Sequence, residues 1–141
     1  MNTFRNPASV ASPIGRYSHS VEIPANARTV LVSGQIGCTP DGTVPNDYFE
    51  QLHHALRNVV LNVEAAGMTV RDIVKCNLLA VAAHRPSGED ARSRGAAVLD
   101  EVFGTHVPCW TTQLISGLVR PDLMLEVEAI AASTDNSGKA E

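Results

Sequence analysis

The chain is 141 residues long, 44% hydrophobic and 18% charged, with 11 Lys+Arg against 15 Asp+Glu for a formal charge of −4. Such a chain favours a single domain that buries roughly 68–70% of its unfolded surface, and it is too apolar to be disordered. Its acidic balance and 4% aromatic content argue against a nucleic-acid binder, which needs a cationic field and stacking platforms, and its longest apolar run, residues 78–83, is far short of the roughly 20 residues of a membrane-spanning helix.

Residues 1–15 contain no apolar segment of the secretory type. Residues 1–13 are polar, include Pro7 and Pro13, and read as a loose N-terminal arm. Two short strands follow at 21–23 and 29–33, joined around the turn cluster at 24–26. Residues 37–45 form a loop in which Pro40-Asp41-Gly42 supplies turn chemistry. Phe49, Leu52, Leu56, Val59, Val60 and Val63 then recur every three or four residues and make one apolar helical stripe, with Asn46 as its cap and Gly67 as its terminator. A strand at 73–83 leads to a second helix at 87–103, where Ser87 and Asp90 resemble a weak capping box and Gly104 follows the last turn. Strands at 110–116 and 123–131 complete one domain over 1–132. Residues 133–141 have almost no apolar content and read as a disordered tail.

The order ββ-α-β-α-ββ predicts an α+β two-layer sandwich, a mixed sheet with two helices on one face. In the last strand Leu123, Leu125, Val127, Ala129 and Ala131 alternate with Met124, Glu126, Glu128 and Ile130. The first set suits the helices. The second is too apolar to be simply solvated, which predicts that this face packs in an oligomer and makes its carboxylates interfacial.

Chemical motifs are sparse. Glu50 and His53 form an E-x-x-H pair, but the second copy that a di-iron bundle requires is missing; on a helical wheel His53 borders the apolar stripe and His54 faces solvent. No C-x-x-C, H-E-x-x-H, G-x-G-x-x-G, P-loop or G-x-S-x-G motif occurs, so no metal site is expected. Cys38, Cys76 and Cys109, odd in number and far apart, fit reduced thiols in the cytoplasm better than a disulfide framework. Cys109 follows Pro108 and reads as a small buried hydrophobe, with no adjacent Lys or Arg to depress its thiol pKa. Gly34, in Ser33-Gly34-Gln35 at a strand end, has two readings: a bulge, or a point of close backbone approach to a ligand.

Five short motifs stand in a characteristic order: Ile14-Gly15-Arg16-Tyr17-Ser18, Val32-Ser33-Gly34-Gln35-Ile36, Glu64-Ala65-Ala66-Gly67, Asp72-Ile73-Val74-Lys75 and Glu126-Val127-Glu128-Ala129-Ile130-Ala131. Together they make the chain resemble the RidA/YjgF family, also called L-PSP endoribonuclease-like, over residues 10–132. The resemblance implies a chorismate-mutase-like fold, a homotrimer, and small-molecule sites in clefts between subunits, with no metal or organic cofactor. Active members of the family hydrolyse reactive enamines and imines such as 2-aminoacrylate to a keto acid and ammonia. There an arginine grips the substrate carboxylate bidentately, and a glutamate with backbone groups positions water. Mapped by motif, Tyr17, Ser33, Gly34 and Glu126 fall at pocket positions, with Glu126 the catalytic candidate.

The chain departs from the family pattern at the arginine. The family reads Pro-Ala-Arg-Ser/Thr where this chain reads Pro108-Cys109-Trp110-Thr111, so Trp110 stands at the arginine's position and Cys109 beside it. An indole has one N–H donor and no charge, and losing a buried charged clamp costs about 2–5 kcal/mol of binding. The family's Gly-Pro-Tyr reads Gly15-Arg16-Tyr17, which adds a cation beside the pocket tyrosine; the family's helix asparagine has no counterpart in Arg94-Gly95-Ala96-Ala97. Three readings follow. One is a deaminase of the same chemistry with an altered substrate, Trp110 forming a flat wall and Arg16 a relocated grip. Another is a non-catalytic binding or sensing trimer with Trp110 filling the cleft. The third, a ribonuclease, is disfavoured by charge.

Overall fold

The computed structural model describes residues 1–135. In chain order it contains β1 (Thr3–Arg5), β2 (Ser20–Glu22), β3 (Arg28–Ile36), α1 (Tyr48–Ala65), β4 (Ile73–Val81), α2 (Glu89–Phe103), β5 (Cys109–Ile115) and β6 (Leu125–Ser133). The strands divide into an antiparallel ribbon, β1-β2, and a mixed four-stranded sheet ordered β3-β6-β4-β5, with β4 and β5 parallel and β6 antiparallel to both its neighbours. This is the expected α+β arrangement of a mixed sheet with two helices, but the sheet excludes β2.

Three boundaries differ from expectation. Thr3–Arg5, inside the arm expected to be loose, forms β1 against β2. The last strand runs on through Ser133, whose backbone pairs with Arg28, so the expected tail loses its first residue to the sheet; residues 136–141 lie outside the described residues. The cap of α1 is Asp47, not Asn46: Asp47 is extended at φ −134° and ψ 133°, and its carboxylate accepts the Glu50 amide at 3.0 Å, as an N-cap side chain should.

Helix α1 buries the predicted stripe. Leu56, Val59 and Val63 are fully buried, each contributing about 1.5–3 kcal/mol by burial. Gly67, at φ 74°, then ends the helix in the left-handed region that favours glycine. Helix α2 is different. Gly88 stands at its N-cap without a side-chain hydrogen bond, so the Ser87–Asp90 box does not form, and Val102 and Phe103 are its buried residues. It leans on α1, where Gly95 meets the Phe49 ring, and reaches the sheet through Phe103, whose ring meets Trp110 edge-on at 6.4 Å.

Gln51, a polar residue on the buried face of α1, is fully enclosed. Its amide nitrogen donates to the carbonyls of Pro45 at 2.8 Å and Asp122 at 2.9 Å, and its oxygen accepts the Met124 amide at 2.9 Å. A Cβ at Gly37 would lie 2.4 Å from the Gln51 backbone, so glycine lets the loop after β3 touch the helix. His106 is a second buried polar tie. Its Nε2 bonds the Ile73 carbonyl at 2.7 Å, and its ring meets Phe4 edge-on, joining β1, β4 and the end of α2.

Two outcomes follow from these ties. Replacing Gln51 by Leu strands two carbonyls and one amide in the interior; we expect a loss of about 3–5 kcal/mol, read as a lower urea midpoint by Trp110 fluorescence. For His106, burial outweighs its hydrogen bond and lowers the imidazole pKa below 6.5, so the fold favours the neutral ring. The unfolded chain then binds the extra proton, and stability is full above pH 6.5 and declines as pH falls below it. Denaturation at pH 7.5 and 5.5 should show this loss, and His106→Gln should reduce it.

Candidate functional site

The alternation along β6 is as the sequence predicts. Leu125, Val127, Ala129 and Ala131 are buried, while Glu126 and Ile130 are half-buried and Glu128 is exposed. Cross-strand partners share a side. Glu126 pairs with Leu79 on β4 and Ile36 on β3, and Leu79 lies between the core residues Leu78 and Ala80. Glu126 therefore faces away from the helices.

Strand β3 bulges between Val32 and Gln35, and the bulge places Gly34 beneath Glu126. A Cβ at Gly34 would sit 1.8 Å from Glu126 Oε1 and 2.6 Å from its Cγ. The bulge reading of Gly34 holds, and what lies against the glycine is the Glu126 side chain. Ser33, Gly34 and Glu126 are brought together on the open face. Beside them Asn77 donates to Glu128 Oε1 at 2.8 Å and the Lys75 ammonium to Thr111 Oγ1 at 2.6 Å, at a shallow groove of about 280 Å³.

Trp110 lies on the other side. Its strand partner is Cys76, buried in the core on the helix side, and its indole N–H donates to Thr112 Oγ1 at 2.9 Å. Because α2 stands off the sheet, a cavity of about 610 Å³ opens between α2, α1, β4 and β5, walled by Phe49, Leu52, Leu78, Leu99 and Trp110 and reached by Arg16, Arg85 and Arg92. Trp110 does not fill it.

The remaining expected residues are distributed as follows. Arg16 lines this cavity, but its guanidinium is spent on the Asp100 carboxylate and the Gly104 carbonyl at the end of α2, so it straps the 14–17 loop to the helix instead of offering a free grip. Tyr17 folds back: its ring lies 3.8 Å from a Cβ built at Gly15 and its hydroxyl accepts the Ile14 amide at 3.3 Å. Cys109 pairs with Lys75 and so faces the open side; burial pushes its thiol pKa up, and burial pushes that of Cys76 up to about 12. Cys109 is the small buried group expected, and Cys76 is fully buried on β4. His53 borders the helix stripe, with Nε2 3.4 Å from Glu101. Arg85 and Arg92 were not singled out from the sequence, although Arg92 in the first turn of a helix opposes the helix dipole, a signal available there.

A model of the endoribonuclease L-PSP family matches residues 8–133. The rat 2-iminobutanoate/2-iminopropanoate deaminase is 36% identical over 137 residues, covering 93% of this chain and 87% of its own length. Escherichia coli TdcF with bound serine superposes with a TM-score of 0.62 at 28% identity, over 86% of this chain and 91% of that one. The Rid-family protein YyfB of Yersinia pestis has a TM-score of 0.80 at 23% identity, over 94% and 98% of the two chains.

The Gly34 contact is directly testable. In Gly34→Ala the flexible end of Glu126 must swing aside while the backbone stays allowed. We expect a stability change within about 1 kcal/mol and a crystal structure showing the Glu126 carboxylate displaced from the bulge.

Proposed function

The chain belongs to the endoribonuclease L-PSP family, the RidA/YjgF family, and from that membership we propose that it is an enamine/imine deaminase with an altered substrate. The observation that carries this reading is Glu126 laid over Gly34 beside Ser33. A half-buried carboxylate beside a glycine can accept a hydrogen bond from water and aim its lone pair. Water adds across the C=N bond of the imine, its oxygen to carbon and a proton to nitrogen. The carbinolamine then expels ammonia and leaves the keto acid. An enamine enters the same path after tautomerising to the imine.

One chain does not bring Glu126 and Trp110 to one ligand, since they face opposite sides of the sheet. A substrate that touches both needs two copies, the open face of one against the cavity side of the next. A homotrimer with clefts between subunits satisfies this, and the half-apolar open face, with Leu31 76% exposed, supports burial there. A cytoplasmic setting suits the three free thiols. The second reading, a binding or sensing trimer without turnover, is favoured by the loss of the family arginine at Trp110.

Ammonia release separates the two. With imines generated in situ by a dehydratase or an amino-acid oxidase, wild type should release ammonia faster than the buffer control for at least one substrate. Glu126→Gln should lose about 10²-fold or more of that rate. Wild-type rates equal to buffer across the set, or an unimpaired Glu126→Gln, would overturn the enzymatic reading.

A further inference from the structure

We propose that the cavity beneath α2 takes a carboxylate with a large apolar or aromatic body, gripped by Arg85 and Arg92. The inference rests on the deaminase reading above and specifies its substrate class. It starts from the disposition of four arginines around this helix. Arg16 is paired with Asp100 and Arg94 with Asp47, and Arg94 also lies over the Phe49 ring at 4.4 Å. Those two cations hold the structure together. Arg85 and Arg92 both line the cavity, both are exposed, and neither forms an ion pair among the described residues.

Their positions are held by the backbone. The Arg85 amide bonds the Val81 carbonyl at 3.1 Å, closing the turn after β4, and the Arg92 amide bonds Gly88 at 3.1 Å, opening α2. Arg85 is also set beside the buried Tyr48 hydroxyl, where its charge offsets part of the effect of burial on that phenol. Two guanidinium groups at the rim of one cavity fit the planar, bidentate geometry of a carboxylate.

The cavity behind them sets the other half of the ligand. Phe49, Leu52, Leu78, Leu99 and Trp110 supply apolar walls, and the Trp110 N–H is already satisfied by Thr112, so the indole presents a face and no free donor. A volume of about 610 Å³ is within the usual range for a ligand-sized site. A three-carbon imino acid would leave most of it empty, whereas an aromatic side chain would stack on Trp110. Arg85 and Arg92 thus bring to this cavity the positive charge that Trp110 does not carry.

The test uses the full-length protein and stable anions. Phenylpyruvate, the keto acid that an aromatic imine would yield, is titrated while Trp110 fluorescence and calorimetric heat are followed, alongside pyruvate and the uncharged 3-phenylpropionamide. We expect phenylpyruvate to bind at least about tenfold more tightly than either control, and Arg85→Ala and Arg92→Ala each to weaken it about tenfold. Arg57→Ala, which removes an exposed cation from α1 away from the cavity, should change affinity less than about twofold. Far-UV circular dichroism checks that the exposed-residue variants remain folded. Equal binding of phenylpyruvate and pyruvate, or arginine variants with unchanged affinity, would overturn the proposal. Tight, arginine-dependent binding with ammonia released from none of the imines, the phenylalanine-derived one included, would uphold the binding site and overturn the enzymatic reading instead.

Discussion

The geometry of this domain depends on one enclosed amide. Gln51 reaches from α1 to Pro45, Asp122 and Met124, which belong to the segments that follow β3 and precede β6. No water competes for a group buried this completely, so all three bonds must form for the fold to close without stranded partners. They hold the end of β3 and the beginning of β6 at fixed heights on the same helix. The bulge at Ser33 and Gly34 and the carboxylate of Glu126 are carried on those two strands. Their contact therefore inherits its precision from a residue that lies in the helix layer and never meets the open face.

The sheet separates two kinds of chemistry. On the open side, a carboxylate lies over a glycine on a face of mixed polar and apolar side chains. On the covered side, an indole and aliphatic groups wall a cavity with arginines at its rim. A β-strand alternates its side chains by strict geometry, so one change of parity would move Glu126 into the core and Val127 out of it. The separation is thus as firmly held as the core itself, and any chemistry needing both sides belongs to an assembly.

Much of this was legible in the primary structure, for identifiable reasons. The stripe from Phe49 to Val63 and the alternation from Leu123 to Ala131 are periodic over long spans, and burial follows the pattern closely. The bulge was one of two readings at Gly34, because glycine marks both. What the sequence concealed depends on distance in the chain. Thr3–Arg5 is too short to show a strand pattern before its partner is known. Asn46 and Asp47 are equally good caps in composition, and the φ/ψ of Asp47 decides between them. Gln51 interrupts an apolar face, and its partners lie up to 73 positions away. Arg16 looked like a free cation because Asp100 is 84 positions distant. Arg85 and Arg92 gain meaning through the gap under α2, which arises from packing and has no local code.

The strand order has a consequence for how the molecule comes into being. The last strand, β6, is a central one, hydrogen-bonded between β3 and β4. Until it leaves the ribosome, β3 has no partner in the sheet and β4 exposes one bare edge, each a template for pairing with another chain. The sheet is completed when residues as far apart as Arg28 and Ser133 meet, a contact whose loop-closure entropy slows folding. The strand that locks the sheet thus comes after all the strands it joins, and a chain released short of β6 would be sticky rather than merely incomplete.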